Sequence, residues 1–413
     1  MGDPIKVKSL RTVDNASAYA IVNAAYKQAT GAAAIDTITL DDFCDGGVAF
    51  ASLTMSRDKF LKALIDQTVN FYTQEGYEDN YEDPYYVEAR RFANVVQMIH
   101  ANVGDVTEAH NMKDFAPTTS QGVTTYKTVG TYEVRPPQVD TSYYTKSISW
   151  ELQVSISETE LNDAFKSGEE LRGFVDYIYV VTQNKLLAHR KQLNALNRNA
   201  YIAEKILYAG TQGANGIHKV NLLTEYNKQR GKQIATVAAF RADPDAMRFA
   251  SAQLPLYAKY MKEQSAVFNT KGYDNQFIPS NRLVTEINSA FESDLNEVAY
   301  STTYHDELIR ISDYVSTPAW QGFGVQGQNT VPADFDQVTA IDVSVSSGDV
   351  KQSGIVALMV DKYAIMHTIR SERVSTVWMD PEALYLNFYQ HRDQYMVNLG
   401  QNGVVFTIEA PQS

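Results

Sequence analysis

The 413-residue chain is 44% hydrophobic and 21% charged, the balance of a globular protein, and its length suits about two or three domains. A net charge of -13 with no Lys/Arg-rich tract repels polyphosphate and argues against a dedicated nucleic-acid binder. No apolar run reaches the ~18 residues of a membrane helix, no apolar stretch follows a basic start, and Cys44 alone cannot form an internal disulfide, so a soluble chain in a reducing cytoplasm is expected.

In chain order, residues 17 to 29 read as a short helix capped by Ser17, with Ile21, Val22, Ala25 and Tyr26 on one face. A second helix runs from about Arg57 to Tyr72, where Phe60, Leu61, Leu64, Ile65, Val69 and Tyr72 recur as one buried stripe. Asp83-Pro84 reads as a helix start leading to Asn102. From Asn111 to Asp140 Thr, Tyr, Val and Gly dominate. The stretch favours β-structure but lacks the large aliphatics of a core, which predicts an extended hairpin or arm resting on a partner surface.

The clearest strand follows: Ile148, Trp150, Leu152, Val154 and Ile156 alternate with Ser147, Ser149, Glu151, Gln153 and Ser155. Ser167 and Glu170 form a capping box, and nothing breaks a helix from Glu169 to about Ile206; Leu171, Phe174, Val175, Ile178 and Val181 face one way. Helices average about 11 residues, and these apolar positions hold no heptad, so the reading is a spine crossing a flat domain. Gly210 to Gly216 reads as a turn, followed by a polar stretch to Arg241. Asp243-Pro244 opens a mixed region with a helical pattern from about Leu283 to Tyr300 and strands at Thr339 to Val345 and Gly354 to Val360. The tail alternates around Val374, Thr376 and Trp378, passes through an aromatic run from Leu384 to His391, and closes on the apolar Gly403 to Ile408. Such strands belong in a core, since exposed they would aggregate. The fold class is α+β.

The catalytic motifs fail on context. His391-Arg392-Asp393 with Asn398 satisfies the kinase catalytic-loop pattern, and Gly322, Gly324 and Gly327 satisfy G-x-G-x-x-G. The glycines lack the flanking strands or the following helix that a phosphate loop needs, and no Asp-Phe-Gly follows Asn398. The other histidines, His100, His110, His189, His218, His305 and His367, show no metal-ligand spacing. Cys44 reads as a small packed side chain, and the acids Asp41, Asp42, Asp45 and Glu78 to Asp83 read as solvated turns without calcium-loop order. No catalytic, cofactor or metal site is expected. The 26 tyrosines suit either interfaces or a β-rich core.

Taken together, Ser17, Tyr19, Ile21, Val22, Asn23 and Ala24, then Phe60, Leu64 and Asp66, then Val360-Asp361-Lys362, Met366, Pro381, Leu384-Tyr385, Asn387, Tyr389, His391 and Val404-Val405-Phe406 resemble a known family. The chain resembles tailed-phage major capsid proteins of the Hong Kong 97-like fold, and more closely the phi-twenty-nine-type short-tailed phages. The resemblance implies an N-terminal arm at residues 1 to 56, a helix at 57 to 79 leading to an extended loop at 80 to 143, a peripheral domain from 144 to 240 with 358 to 413, and an axial domain from 241 to 357. It places residues 83 to 102 in or beside the extended loop, against the local helical reading.

It further implies a structural subunit of an icosahedral head, assembling with itself into pentamers and hexamers around double-stranded DNA that it encloses without sequence-specific binding. Scaffolding protein, portal and other head proteins are implied partners. The location is the virion after assembly in the host cytoplasm, with no cofactor and no membrane. Candidate inter-subunit contacts are Tyr126, Lys127, Tyr132 and Arg135 on the extended loop, and Trp320 and Phe323 on an axial-domain loop. Relatives continue into an immunoglobulin-like surface domain; as this chain ends at Ser413, decoration by its own tail is not expected. Lys113, Lys127, Asn398 and Asn402 are available for the lysine-asparagine cross-link of the fold's namesake, but nothing specifies a pair. The rival readings are an encapsulin-type nanocompartment shell and, from a different class, an aromatic-rich soluble hydrolase.

Overall fold

The computed structural model describes Val22, Ala24, Ala25, Gln28, Ala63, Thr159, Asp163, Val267, Phe268 and Thr270, and residues 84–87, 96–102, 118–120, 123–125, 138–144, 147–157, 167–212, 217–263, 277–302, 314–321, 334–376, 385–398 and 402–411. Val22, Ala25 and Ala63 are buried helical residues. The remainder of the two helices expected at residues 17 to 29 and 57 to 72 lies outside the described residues.

The first strands are β1 (Val96–Asn102), β2 (Thr118–Ser120), β3 (Val123–Thr125) and β4 (Gln138–Tyr144). β1 pairs antiparallel with β4 over its whole length, from Val96 opposite Tyr144 to Asn102 opposite Gln138, and β2 pairs with β3. The helix expected up to Asn102 is therefore overturned at residues 96–102. Seven residues that could turn helically in isolation instead exchange ladder hydrogen bonds with β4, a tertiary partner that local propensity does not see. Of the extended hairpin or arm expected from Asn111 to Asp140, the described residues are strands, β2 and β3 paired with each other and the start of β4 paired with β1; the rest lies outside the described residues.

β5 (Ser147–Ser157) has the predicted alternation: Val154 and Ile156 are buried, and Ser149, Glu151, Gln153 and Ser155 are exposed. α1 (Gly168–Gln212) is a single helix of 45 residues. The Glu170 N–H donates to Ser167 Oγ at 3.2 Å, so the capping reading was sound. Phe174 is buried as expected. The helix overruns the predicted turn through Gly210, because Tyr201, Ile202, Ala203 and Ala209 are fully buried and their packing outweighs the ~1 kcal/mol that a mid-helix glycine costs.

Beyond it come β6 (Lys219–Asn221), α2 (Leu222–Arg230), α3 (Val237–Ala242) and α4 (Pro244–Tyr260). Asn221 caps α2, Thr236 caps α3 and Asp243 caps α4, each through its side-chain oxygen. The segment read as polar is thus two short capped helices whose buried residues, Leu222, Leu223, Tyr226 and Phe240, are too few for a clear period. β7 (Leu283–Asn288) precedes α5 (Ser289–Thr302), so the first six residues of the predicted helix are a strand; its register alongside a central strand decides the matter. Then follow β8 (Val315–Thr317), α6 (Phe335–Val338), β9 (Ile341–Val345), β10 (Gly348–Gln352), β11 (Ile355–Asp361), a turn of 3-10 helix at Lys362–Ile365, β12 (His367–Thr376), β13 (Tyr385–Met396) and β14 (Gly403–Thr407).

Two sheets organise the subunit. One is antiparallel, in the order β12-β13-β5. The other runs β6-β14-β11-β7-β8, with β14 parallel to β6 and antiparallel to β11. β11 and β14 are buried at every position, as the apolar runs predicted, and successive side chains go to opposite cores. Ala357, Met359, Val404 and Phe406 join α2, α3, α4 and α5 on one face. Leu358, Val360 and Val405 meet Tyr201, Ile202 and Ala203 of α1, with Trp320 and Ile341, on the other. The tail therefore closes the core between two faces, as its composition required.

Candidate assembly surface

Among the described residues, the ribbon of β1 and β4 carries the least covered large apolar side chains. Directly opposite residues of an antiparallel pair share a face, and one face aligns Gln97 with Tyr143, Ile99 with Thr141, and Ala101 with Val139. Ile99, Val139 and Tyr143 are 61%, 58% and 64% exposed. A two-stranded ribbon is marginal by itself and needs another surface to lie on.

The root of the ribbon is fixed at both ends. Upstream of β1, the Val87 N–H donates to the His367 carbonyl at 3.0 Å, and the His367 N–H donates to the Tyr85 carbonyl at 3.2 Å. Tyr85 is buried, and the Arg190 guanidinium of α1 sits 5.0 Å over the Tyr86 ring. Downstream, only residues 145 and 146 separate β4 from β5, which pairs with β13 over eleven positions. In sequence the ribbon is thus flanked by segments held on the three-stranded sheet and on α1.

α1 is in turn joined to the five-stranded sheet by a polar cluster that hydrophobic periodicity misses. Arg198 Nη1 donates to Glu286 Oε2 at 2.8 Å, and Nη2 donates to the Trp320 carbonyl at 2.8 Å. Asn199 Nδ2 donates to the same carbonyl at 2.8 Å, and Thr317 Oγ1 donates to Glu286 Oε2 at 2.9 Å. Arg198 also lies 4.8 Å over the Trp320 ring. The Trp320 indole N–H donates to the Ile355 carbonyl at 2.7 Å. Trp320, expected at a subunit contact, has 0% exposure in the single chain, with its indole N–H and its carbonyl both bonded within it. Tyr126, Lys127, Tyr132, Arg135 and Phe323 lie outside the described residues, as do the three glycines of the G-x-G-x-x-G match.

The kinase-like triplet lies within β13, the middle strand of its sheet. His391 faces Arg373 on one side and Glu151 on the other, and Asp393 accepts from Ser149 Oγ at 2.6 Å. A residue fixed by ladders on both flanks is not in a catalytic loop. Among the described residues no cluster of three His, Cys, Asp or Glu side chains could hold a metal ion, and no helix is long and apolar enough to cross a membrane.

A subunit in two firmly joined parts, carrying a ribbon with a bare apolar face, has the anatomy of a structural component completed by neighbouring chains. The chain matches the Phi29-like phage major capsid protein family over residues 20–407 and belongs to that family. It is a structural subunit of a phage head shell, a self-assembling virion component built of mixed helix and sheet; the encapsulin reading is not favoured. No curated protein matches it. Among solved structures it is similar to a chain of the Staphylococcus phage Andhra capsid, at 9% identity and TM-score 0.46, over 80% of this chain and 88% of that one. A chain of the cyanophage P-SCSP1u capsid gives 11% identity and TM-score 0.39 over 80% and 88%. One from the mature capsid of bacteriophage PhiM1 gives 8% and 0.37 over 82% and 90%.

Proposed function

We propose that copies of this subunit form pentamers and hexamers that close an icosahedral head around double-stranded DNA, and that the β1–β4 ribbon of each copy lies across an adjacent one. The observation that carries this reading is the shared exposure of Ile99, Val139 and Tyr143 on one ribbon face. Completing the burial of three such side chains contributes on the order of 1 kcal/mol each, weak singly and repeated over every copy of the shell. The acidic charge of -13 suits a container that encloses DNA without gripping it. Assembly in the host cytoplasm, with a scaffolding protein and a portal among the other head proteins, completes the proposal. So does the division into an arm (1 to 56), a helix (57 to 79), an extended loop (80 to 143), a peripheral domain (144 to 240 with 358 to 413) and an axial domain (241 to 357).

The test is expression of the full chain with its scaffolding protein, followed by negative-stain microscopy. The Ile99→Asp/Val139→Asp double variant is expected to yield soluble subunits that unfold at the wild-type urea concentration but form no particles. Normal particles from that variant would remove the ribbon from the assembly mechanism.

A further inference from the structure

The outer edge of β5 is long and lacks the usual protection. Among the described residues no strand lies alongside it: β13 pairs with β5 on one side, and β5 ends the sheet. An open edge offers a row of unpaired backbone N–H and C=O groups, which proteins blunt with charges, proline, bulges or short length. β12, the opposite edge, has such guards. Its sequence carries Arg370, Glu372 and Arg373, its register shifts between Ile369 and Ser371, and Tyr85 and Val87 bond its first residue, His367. β5 has none of these: it runs for 11 residues with Glu151 as its one charge, contains no proline, and pairs with β13 without a shift. Its inward-facing Ile148, Trp150 and Leu152 are only half-buried, whereas Val154 and Ile156 are buried.

The sequence of β5 reads nearly alike in both directions, with Ser147-Ile148-Ser149 at one end and Ser155-Ile156-Ser157 at the other. We propose that β5 pairs antiparallel with β5 of a second copy across a two-fold axis at Leu152, joining two three-stranded sheets into one. In that register Ile148 faces the partner's Ile156, Ser149 faces the partner's Ser155, Trp150 faces the partner's Val154 and Glu151 faces the partner's Gln153. Directly opposite residues share a face and interact as pairs. Here aliphatic meets aliphatic, aromatic meets β-branched, hydroxyl meets hydroxyl, and no like charges meet.

The backbone agrees with this register. Alternate residues of an edge strand direct their N–H and C=O outward, and residues set opposite each other about Leu152 belong to the same alternating set. Outward groups therefore meet outward groups. A slip of one residue sets Trp150 against the partner's Ser155, loses that match and turns the second sheet over. The symmetry also suits a shell, on whose subunit reading the contact rests. Trp150 stands edge-on to His189 of α1 at 4.5 Å, so α1 covers the inward face of β5. A two-fold axis perpendicular to the sheet keeps α1 of both copies on one side, as neighbours that share an inside and an outside require.

Ser149→Cys and Ser155→Cys test the register. The two positions lie about 20 Å apart in one chain, beyond the limit of about 7 Å between Cα atoms for an internal disulfide; across the axis they are direct neighbours. Both hydroxyls donate to exposed partners on β13, Asp393 and Asn387, so their loss leaves the core intact. Full-length protein is oxidised as particles formed with scaffolding protein and as concentrated free subunit, then run on non-reducing denaturing gels. The double variant is expected to give covalent dimers. Each single variant, like the parent with Cys44 alone, should give none, and the two single variants mixed before assembly should give dimers. In the double variant, Gln153→Glu sets a like charge against Glu151 and should lower the dimer fraction by about three- to tenfold, while Gln153→Lys should raise it. Single variants that dimerise as well as the double, or indifference to the charge at residue 153, would overturn the contact. Particles free of dimers would overturn it too and leave the shell reading standing. If wild type forms no particles, dimers of the free subunit keep the contact while that reading fails, and their absence ends both.

Discussion

Glu286→Gln tests the joint between α1 and the five-stranded sheet. Both partners of the pair are removed from water, with side-chain exposures of 11% for Arg198 and 2% for Glu286. Glutamine keeps the shape and can still accept from Thr317, but it strands the Arg198 charge in a desolvated site. Removing one partner of a buried ion pair costs about 3–5 kcal/mol, because the remaining charge has lost its solvent and its counterion together. A chain of this length lies toward the upper end of urea m-values, about 3 kcal/mol per molar, so the midpoint should fall by about 1 M. The assay is urea unfolding of unassembled subunit followed by tryptophan emission. Arg198→Met alone should cost a similar amount, since it strands the Glu286 carboxylate, the more buried partner, with only the Thr317 hydroxyl donating to it. Arg198→Met combined with Glu286→Leu should recover much of the loss, with a coupling of about 1–3 kcal/mol. A shift below about 0.2 M for Glu286→Gln, or strictly additive single variants, would refute the assignment of the pair as a stabilising joint.

Two further perturbations probe the tail and pH dependence. A Cβ at Gly403 would fall 2.1 Å from the Tyr201 hydroxyl and about 3 Å from its ring, so Gly403→Ala should destabilise the subunit by about 1–3 kcal/mol through overpacking, measured by the same unfolding assay; an unchanged midpoint would show that β14 is not pinned against α1. His218 is lowered to about 4 by burial, so the unfolded chain binds its proton from about pH 6.5 downward while the folded chain resists until about 4. Stability is present in full above pH 6.5 and declines as pH falls through that window, and His218→Gln should flatten the decline in midpoints recorded between pH 7 and 4.

The parts of the fold that were legible in the sequence are those whose partners do not matter to the pattern. β5 alternates because one face meets the core, and β11 and β14 are continuous apolar runs because both faces do. The start of α1 announced itself through Ser167 and Glu170. By contrast β1 and the first third of the Leu283 to Tyr300 pattern read as helices, since their strand state rests on ladders to β4 and β11 that are distant in sequence. The joint was missed for a physical reason. The covered face of α1 beyond residue 190 includes Asn194, Arg198, Asn199, Tyr201 and Lys205, and a hydrophobicity pattern counts the four of these that are amides or cations as solvated. Trp320 was read as loop and assigned outward, when its indole N–H and its carbonyl are both consumed inside the joint. The β1–β4 ribbon overlaps the predicted arm only at residues 138–140, and the aligned face of Ile99, Val139 and Tyr143 needed the β1–β4 register.

The polarity of the joint bears on shell geometry as well as stability. An apolar contact between α1 and the sheet would permit sliding and rotation at little cost, because the hydrophobic effect is non-directional. A guanidinium divided between a carboxylate and a carbonyl, in a fork of fixed angles, permits neither. If the ribbon is the contact proposed above, the angle between α1 and the five-stranded sheet would set where each ribbon meets the next copy. In a closed shell of many copies a small angular latitude accumulates around the surface. The Arg198→Met/Glu286→Leu variant separates the two roles: it should hold most of its stability yet assemble into particles of mixed diameter. If its particles are as uniform as wild type, the joint serves stability alone, and the directional hydrogen bonds carry no information about curvature.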